Sequence, residues 1–208
     1  MTPAIRAVRI DDVVPLAATQ ARAFYDDPLQ VWALPDASTR LDVLTRLFEM
    51  MIRVVSLPLG ESYTDDTRSV GALWAPPNRW LVDPDTATAL EPMSVLVGDR
   101  LPWLRRCWEA ISKVHPTEPH FYLSGLGTDP PLQGKGLGSA ALKPVLDRCD
   151  TEGIPAYLES TKERNLAFYQ RHGFVVSGTM TVPLDGPPLW TMWREPQSSQ
   201  PSPRTLSR

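Results

Sequence analysis

A short glycine-rich segment, Gln133-Gly134-Lys135-Gly136-Leu137-Gly138-Ser139, is the part of this sequence best suited to bind an anion. It follows a β-prone run, Phe121–Thr128, and it precedes apolar residues with helical spacing. Glycines leave backbone amides unobstructed, and the amides at a helix start face the positive end of the helix dipole. The segment therefore predicts an anion-binding loop between a strand and a helix.

The glycine spacing excludes two common nucleotide-binding motifs. Six residues separate Gly127 from Gly134, and Gly136 follows the lysine where a phosphate-binding loop of the nucleotide hydrolases needs a hydroxyl residue. Gly134, Gly136 and Gly138 recur at every second position, which differs from the G-x-G-x-x-G dinucleotide motif. A flexible turn that only caps the helix is the remaining alternative to an anion site.

A second motif follows in the run Asn165-Leu-Ala-Phe-Tyr169-Gln-Arg-His-Gly173-Phe174. The glycine segment resembles the Q/R-x-x-G-x-G/A acetyl-CoA pyrophosphate loop of the GNAT-type N-acetyltransferases, and the second motif resembles their Asn-x-x-(aromatic)-Tyr-x-x-x-Gly-Phe helix and turn. The order of the two motifs also agrees with that family. The resemblance implies a mixed α/β (α+β) GNAT acyl-CoA N-acyltransferase fold, in which a central twisted mixed sheet carries helices on both faces. It would form one domain over residues 1–195.

The resemblance also implies that acetyl-CoA is the acyl donor. Its pyrophosphate would bind at residues 133–139, and its pantetheine arm would lie between two parallel strands that separate, along Leu126, Gly127 and Thr128. Backbone amides there would stabilise the thioester oxygen as it gains charge. Asn165 would contact the CoA arm, with a helix N-cap as the alternative role. No metal is expected, because the histidines and cysteines lack metal-ligand spacing.

Two residues are predicted to be catalytic. The resemblance makes Tyr169 the general acid that protonates the departing CoA thiolate, since a phenol stays protonated at neutral pH; the alternative is a core aromatic. Glu159 is the candidate base that takes a proton from the amine, directly or through water, and its alternative is an exposed or ion-paired carboxylate. No histidine is expected near a carboxylate in a catalytic arrangement.

The acceptor site is predicted to begin after the first helix. Carboxylates there would favour a cationic amine, and tryptophans would supply flat apolar walls, although plain packing is the alternative for each. The predicted lining residues are Tyr25, Asp26, Asp27, Trp32, Trp74 and Trp80. The resemblance implies acetylation of a small-molecule amine, such as a puromycin-like antibiotic or a toxic metabolite. The alternatives are a protein N-terminal or lysine acetyltransferase and a non-catalytic acyl-CoA sensor.

The composition limits the classes of protein to which this chain can belong. The 208 residues are 42% hydrophobic with a formal net charge of −3, which argues against a binder of duplex nucleic acid. No apolar run approaches the ~18 residues of a membrane-spanning helix. We therefore expect a cytoplasmic, reduced enzyme that acts as a monomer or homodimer, without nucleic-acid or membrane partners. Residues 196–208, rich in proline and serine, are predicted to be a disordered tail.

Residue spacing predicts the elements that must position these residues. Residues 5–10 alternate as a strand, and a helix follows. Thr39 and Asp42 have the spacing of a capping box, so a second helix is predicted to begin there and to end before Pro58. A polar turn predicts a hairpin over residues 62–74.

The second half predicts a strand, the glycine loop and a helix in succession. Pro144 falls inside that helix and predicts a kink or an early break there. A short strand is predicted at residues 154–158, and a helix that contains Tyr169 should end at Gly173 in a left-handed conformation. Two further strands are predicted after Gly173.

Overall fold

The computed structural model describes residues 4–79 and 92–197. Seven strands form one sheet in the order β1-β2-β3-β4-β5-β7-β6. Only β4 and β5 are parallel, and the other neighbours are antiparallel. The strands are β1 (Ile5–Ala7), β2 (Tyr63–Asp65), β3 (Val70–Ala75), β4 (Phe121–Thr128), β5 (Ala156–Ser160), β6 (Val175–Thr181) and β7 (Pro188–Arg194).

Helices flank the sheet between these strands. A π-helical segment, Ile52–Ser56, links the third and fourth helices, and short 3₁₀ turns precede several others. Within the described ranges the α-helices are α1 (Val13–Phe24), α2 (Pro28–Ala33), α3 (Arg40–Met51), α4 (Leu57–Leu59), α5 (Met93–Val97), α6 (Leu101–Val114), α7 (Leu137–Glu152) and α8 (Leu166–Gln170). None of the helices described is long and apolar enough to cross a membrane.

Both faces of the sheet are covered. On one face α7 buries Leu142 and Val145 against Trp74 of β3 and Leu158 of β5. On the other face α1 and the π-helical segment pack on Leu73 of β3. All six residues of β3 are consequently buried, as expected for a strand with helices on both sides. This confirms the predicted mixed sheet with helices on both faces.

Gln20 joins α1 to the sheet. Its Nε2 donates hydrogen bonds to the carbonyl oxygens of Gly71 in β3, at 3.1 Å, and of Gly127 in β4, at 3.4 Å. The side chain is fully buried, and a Cβ added at either glycine would meet its amide at less than contact distance. The two glycines therefore allow α1 to lie close to β3 and β4.

Three local predictions differ from the structure. The predicted capping box is absent, because the Thr39 hydroxyl donates to Asp36 rather than capping α3. Helical structure continues past Ser56 through the π-helical segment, and Pro58 lies within the short α4 that follows it. Pro144 does not break α7, which continues to Glu152 because its buried apolar residues on both sides of the proline still pack on the sheet. The hairpin of β2 and β3 and the positive φ of Gly173 are confirmed.

A buried carboxylate fixes the start of α1 to the first strands. Asp12 is 1% exposed and accepts hydrogen bonds from Arg6 Nη1 at 2.6 Å, Arg68 Nε at 2.7 Å and the Arg9 amide at 2.8 Å. These contacts hold the pKa of Asp12 well below its usual range, and the hydrogen bond from Arg6 has the largest effect. A carboxylate with a lowered pKa stabilises the folded state above its unfolded pKa and loses that effect as the pH falls.

Replacing Asp12 by asparagine should therefore lower the free energy of unfolding at pH 7 by about 2–3 kcal/mol, as measured by urea denaturation. The difference from the wild type should shrink below about pH 4, where an unfolded aspartate becomes protonated. Asp66→Asn is the matched control, since Asp66 also binds Arg6 but its side chain is 75% exposed. Equal losses in the two variants would contradict the structural role of Asp12.

Candidate active site

The parallel strands β4 and β5 separate partway along their length. Phe121, Tyr122 and Leu123 pair with residues 156–158 of β5, and the pairing stops there. Beyond this point β4 continues to Thr128 and pairs only with β3 on its other side. The β4 edge from residue 124 onward therefore faces an open gap, which is the feature that the resemblance implied for Leu126, Gly127 and Thr128.

A bulge lies where the two strands part. Leu73 of β3 pairs with Gly125, and the next β3 residue pairs with Leu123, so Ser124 has no partner in β3. The Ser124 hydroxyl donates to the carbonyl of Leu73 at 3.0 Å. Bulges bend a strand and redirect its side chains, and this one lies at the mouth of the gap.

The glycine loop connects the end of β4 to α7. Gly134 and Gly136 have φ values of 75° and 82°, and Gly136 occupies the N-cap position of α7. The first backbone bond of the helix runs from the Ala140 amide to the Gly136 carbonyl. Among the residues described, no carbonyl accepts from the amides of residues 134–139. These amides form a cradle that a phosphate group fits.

Neighbouring contacts fix this loop. Gln133 Nε2 donates to the carbonyl of Thr128 at 3.1 Å, which ties the loop to the end of β4. A Cβ at Gly138 would lie 3.3 Å from the Phe168 ring, so the start of α7 lies close to α8. Lys135 is exposed beside the cradle, and Leu137 and Ser139 complete the first turn of α7. The structure therefore brings the predicted loop residues together at one helix start.

A cavity of about 190 Å³ lies beside the gap between β4 and β5. It is bordered by α1, α2, α6, β4, β5 and α8. Among its lining residues are five that the sequence singled out, namely Asp27, Leu126, Glu159, Asn165 and Tyr169. Asn165 stands at the N-cap position of α8, but its side chain makes no capping bond. The predicted acid and base thus face the same small space.

Tyr169 is 7% exposed and packs against the core under α7 while also lining the cavity. Burial, and next the charge of Asp27, raise its pKa above the usual value for a phenol. The hydroxyl is consequently protonated at neutral pH and able to donate a proton. The core and catalytic roles that the sequence offered are compatible in this position.

The two aspartates after α1 have different environments. Asp27 is 8% exposed, accepts from Thr161 Oγ1 at 2.8 Å and from the Leu29 amide at 3.0 Å, and has its pKa raised by burial. Asp26 lies outside the cavity and binds Lys162 at 2.5 Å and Arg164 at 3.0 Å, and these cations lower its pKa. Only Asp27 therefore faces the proposed reaction space.

The predicted aromatic walls lie elsewhere. Trp74 is 1% exposed in the core beneath α7, because helices cover both faces of β3, and its prediction as an acceptor-binding residue is wrong. Trp32 packs on Trp103 and donates to the Leu184 carbonyl, and Tyr25 donates to a carbonyl outside the cavity. Trp80 lies outside the described residues. Trp108 and Ile111 of α6 line the cavity instead, although sequence spacing did not single them out.

Glu159 has histidine neighbours, although the sequence predicted no histidine near a carboxylate in a catalytic arrangement. His115 Nδ1 is 3.6 Å from Glu159 Oε1, and His115 Nε2 is 3.1 Å from His120 Nε2. The Glu159 side chain is 9% exposed, so it is not a solvated strand-end carboxylate. In the sequence, both histidines lie shortly before β4, and β4 pairs with β5, the strand that carries Glu159. This proximity could have predicted the contact.

An open parallel strand pair, an amide cradle at the following helix and a tyrosine beside the gap are the features that the resemblance to the GNAT-type N-acetyltransferases implied. Residues 63–174, just over half of the chain, match the family model described as "Acetyltransferase (GNAT) family". The chain belongs to this family, whose members use acetyl-CoA, and it is an acetyltransferase.

Relatives and solved structures agree with this assignment. An uncharacterised N-acetyltransferase of Schizosaccharomyces pombe is 27% identical over 94% of this chain and 84% of its own length. A Corynebacterium glutamicum structure described as "histone acetyltransferase HPA2 and related acetyltransferase" has a TM-score of 0.73, with 27% identity over 97% of this chain and 99% of that one. A Drosophila melanogaster polyamine N-acetyltransferase shares the fold, with a TM-score of 0.60 and 15% identity over 92% of this chain and 99% of its own.

Proposed function

We propose that the protein transfers the acetyl group of acetyl-CoA to the amine of a small cationic molecule. The observation that carries this proposal is the cavity beside the open edge of β4, because Glu159 and Tyr169 both line it. Direct acetyl transfer needs a base for the amine and an acid for the thiolate, and both must lie next to the reacting atoms. The N-acetyltransferase name of the yeast relative supports the reaction class.

The donor would be held mainly by the protein backbone. The amides of residues 134–139 would bind the pyrophosphate, and the open edge of Leu126, Gly127 and Thr128 would pair with the pantetheine arm. Asn165 would contact the same arm, since its side chain is not used as a helix cap. Backbone donors at the β4 edge would then stabilise the thioester oxygen, an effect that is typically worth ~2.7–4 kcal/mol per donor.

The cavity would promote attack in one direct step. An acceptor that arrives as an ammonium ion first loses one proton to water. Glu159 then takes a proton from the neutral amine, directly or through water, as the nitrogen lone pair attacks the thioester carbon. The carbon–sulfur bond breaks, and Tyr169 gives its proton to the sulfur that leaves. The Tyr169 hydroxyl is protonated at neutral pH, so its proton is available when the thiolate forms.

The acceptor would be cationic and would enter by its amine end. Asp27 and Glu159 place carboxyl groups at the cavity, whereas Lys162 is paired with Asp26. The volume of about 190 Å³ is below the ~300–1,000 Å³ of sites that enclose drug-sized ligands, so the rest of the molecule would stay outside. Residues 115–194 also resemble puromycin N-acetyltransferases, which makes a puromycin-like aminonucleoside the first acceptor to test.

The proposal predicts release of free CoA when acetyl-CoA is mixed with puromycin or a small polyamine. Glu159→Gln should reduce the rate by about 10²-fold or more near pH 7, because the amine then lacks its base. Glu163→Gln, at an exposed position just before α8 and outside the cavity lining, is the control and should retain activity. Thiol detection during turnover measures both rates.

Either of two other results would support a different function for the chain. Ready acetylation of a peptide N-terminus or a lysine peptide, with no product from the small amines, would make the chain a protein acetyltransferase. Tight binding of acetyl-CoA without CoA release for any acceptor would make it an acyl-CoA sensor. Full activity of Glu159→Gln would remove Glu159 as the base while leaving the transferase assignment in place.

A further inference from the structure

Glu159 stands at the end of a chain of buried ring nitrogens. His120 Nδ1 lies 2.6 Å from the carbonyl oxygen of Glu118, and His120 Nε2 lies 3.1 Å from His115 Nε2. His115 Nδ1 in turn faces Glu159 Oε1 at 3.6 Å. The His115 and Glu159 side chains are 11% and 9% exposed, so the chain of contacts is largely screened from water. His115 and Glu159 are called the His–Glu pair below.

The contacts fix where the protons lie. A carbonyl oxygen only accepts, so His120 Nδ1 must carry a hydrogen. Burial lowers the pKa of His120, which favours its neutral form, and a neutral ring with hydrogen on Nδ1 has a bare Nε2. His115 Nε2 must then donate to His120 Nε2. The remaining ring nitrogen of His115, Nδ1, is the one that faces the carboxylate.

This arrangement favours the binding of one proton between His115 Nδ1 and Glu159 Oε1. With His115 neutral and Glu159 ionised, a nitrogen lone pair faces a negatively charged oxygen. A single proton on either atom turns that repulsion into an ion pair or a hydrogen bond. A proton that arrives at the pair can therefore be bound by both Glu159 Oε1 and His115 Nδ1.

We propose that His115 is the positioning residue of Glu159, and that the His–Glu pair together retains the proton removed from the amine. This inference rests on the proposed function. As the amine nitrogen bonds to the thioester carbon, its N–H bond breaks and the proton moves to Glu159 and is shared with His115 Nδ1. The CoA sulfur takes the Tyr169 proton. After products leave, the pair loses its proton to water, and the Tyr169 phenolate takes one from water.

The surrounding groups do not compete for this proton. Burial raises the pKa of Tyr122 on β4 and of Tyr157 on β5, and the Glu159 charge raises both further. Burial and then the same charge raise the pKa of Cys107 on α6 to about 11. These three groups stay protonated, and His120 stays neutral, through the pH range in which amines are acetylated. These neighbours would therefore not contribute a change in rate over that range, and the ionisation of the acceptor amine affects the wild type and His115→Asn alike.

The first test compares His115→Asn with the wild type over pH 6.5–9.5. Asparagine places an amide near the Nδ1 position but cannot take up a proton. We expect kcat at pH 7 to fall at least tenfold, with the KM for acetyl-CoA within twofold of the wild type. The deficit should shrink as the pH rises, because the free amine becomes abundant. His172→Asn, which removes an imidazole from the turn after α8 and outside the cavity lining, is the control.

A second test does not need turnover. Nitrogen-15 spectra of the histidine rings at pH 7 should show His120 with hydrogen on Nδ1, and should show a smaller doubly protonated fraction of His115 in Glu159→Gln than in the wild type. Equal fractions would overturn the pair. A wild-type pH profile in an active His115→Asn would also overturn it and leave the proposed function standing. A wild type that releases no CoA with any amine would instead refute the proposed function.

Discussion

Replacing Tyr169 by phenylalanine should lower kcat by about 10²–10⁴-fold while changing the KM for acetyl-CoA by much less. The side chain lies at the cavity, and its raised pKa keeps the proton that the leaving thiolate needs. A general acid acts in the transition state, so its loss affects turnover rather than donor binding. Steady-state kinetics of free CoA release would measure both constants.

Tyr63→Phe is the matched control for that experiment. Tyr63 packs partly buried against the same core but does not line the cavity, so its variant should keep wild-type kcat. Both variants should unfold at similar temperatures, because each retains the aromatic ring. Unchanged turnover in Tyr169→Phe would assign Tyr169 to packing alone, and a partial loss below tenfold would indicate that water supplies the proton.

Replacing Gly136 by valine should weaken acetyl-CoA binding by about 100-fold. The branched side chain would stand over the amides of residues 134–139 and keep phosphate oxygens away from them. Losing one or two hydrogen bonds to a charged group accounts for a change of this size. Calorimetric titration of the folded variant with acetyl-CoA measures it.

Gly153→Val is the control that separates the loss of acetyl-CoA affinity from the backbone strain that valine causes at a left-handed position. Gly136 and Gly153 cap the two ends of α7 with φ values of 82° and 70°, and a Cβ at either position meets no atom within 4 Å. Both substitutions should therefore destabilise the fold to a similar degree. Only Gly136→Val should lose affinity for acetyl-CoA. Unchanged binding in that variant would exclude the loop as the pyrophosphate site.

The elements of the proposed donor site were predictable because they depend on local sequence. The glycine loop, the strand before it and the helix with Tyr169 are short, contiguous segments with characteristic spacing. Asn165 belongs to the second motif, whereas Glu159 was selected because it lies on the strand expected to flank the thioester. The left-handed conformation at Gly173 also followed from its immediate neighbours.

The acceptor side depends on contacts between distant segments. Trp74 lies on a strand that helices from both halves of the chain cover, and no spacing within residues 70–75 shows this. The approach of His115 to Glu159 results from the pairing of β4 with β5 and from the end of α6. Unbroken helix at Pro144 likewise reflects tertiary packing, which outweighs the local preference of proline.

The contact of Gln20 with Gly71 and Gly127 also links the evolution of distant positions. A larger residue at either glycine would collide with the buried amide of Gln20, and Leu16 or Ala23 would also be crowded. A lineage could accept such a residue only together with a shorter side chain at position 20. Because Gly127 belongs to the strand proposed to bind the pantetheine arm, a change at position 20 of α1 would alter the packing behind that strand.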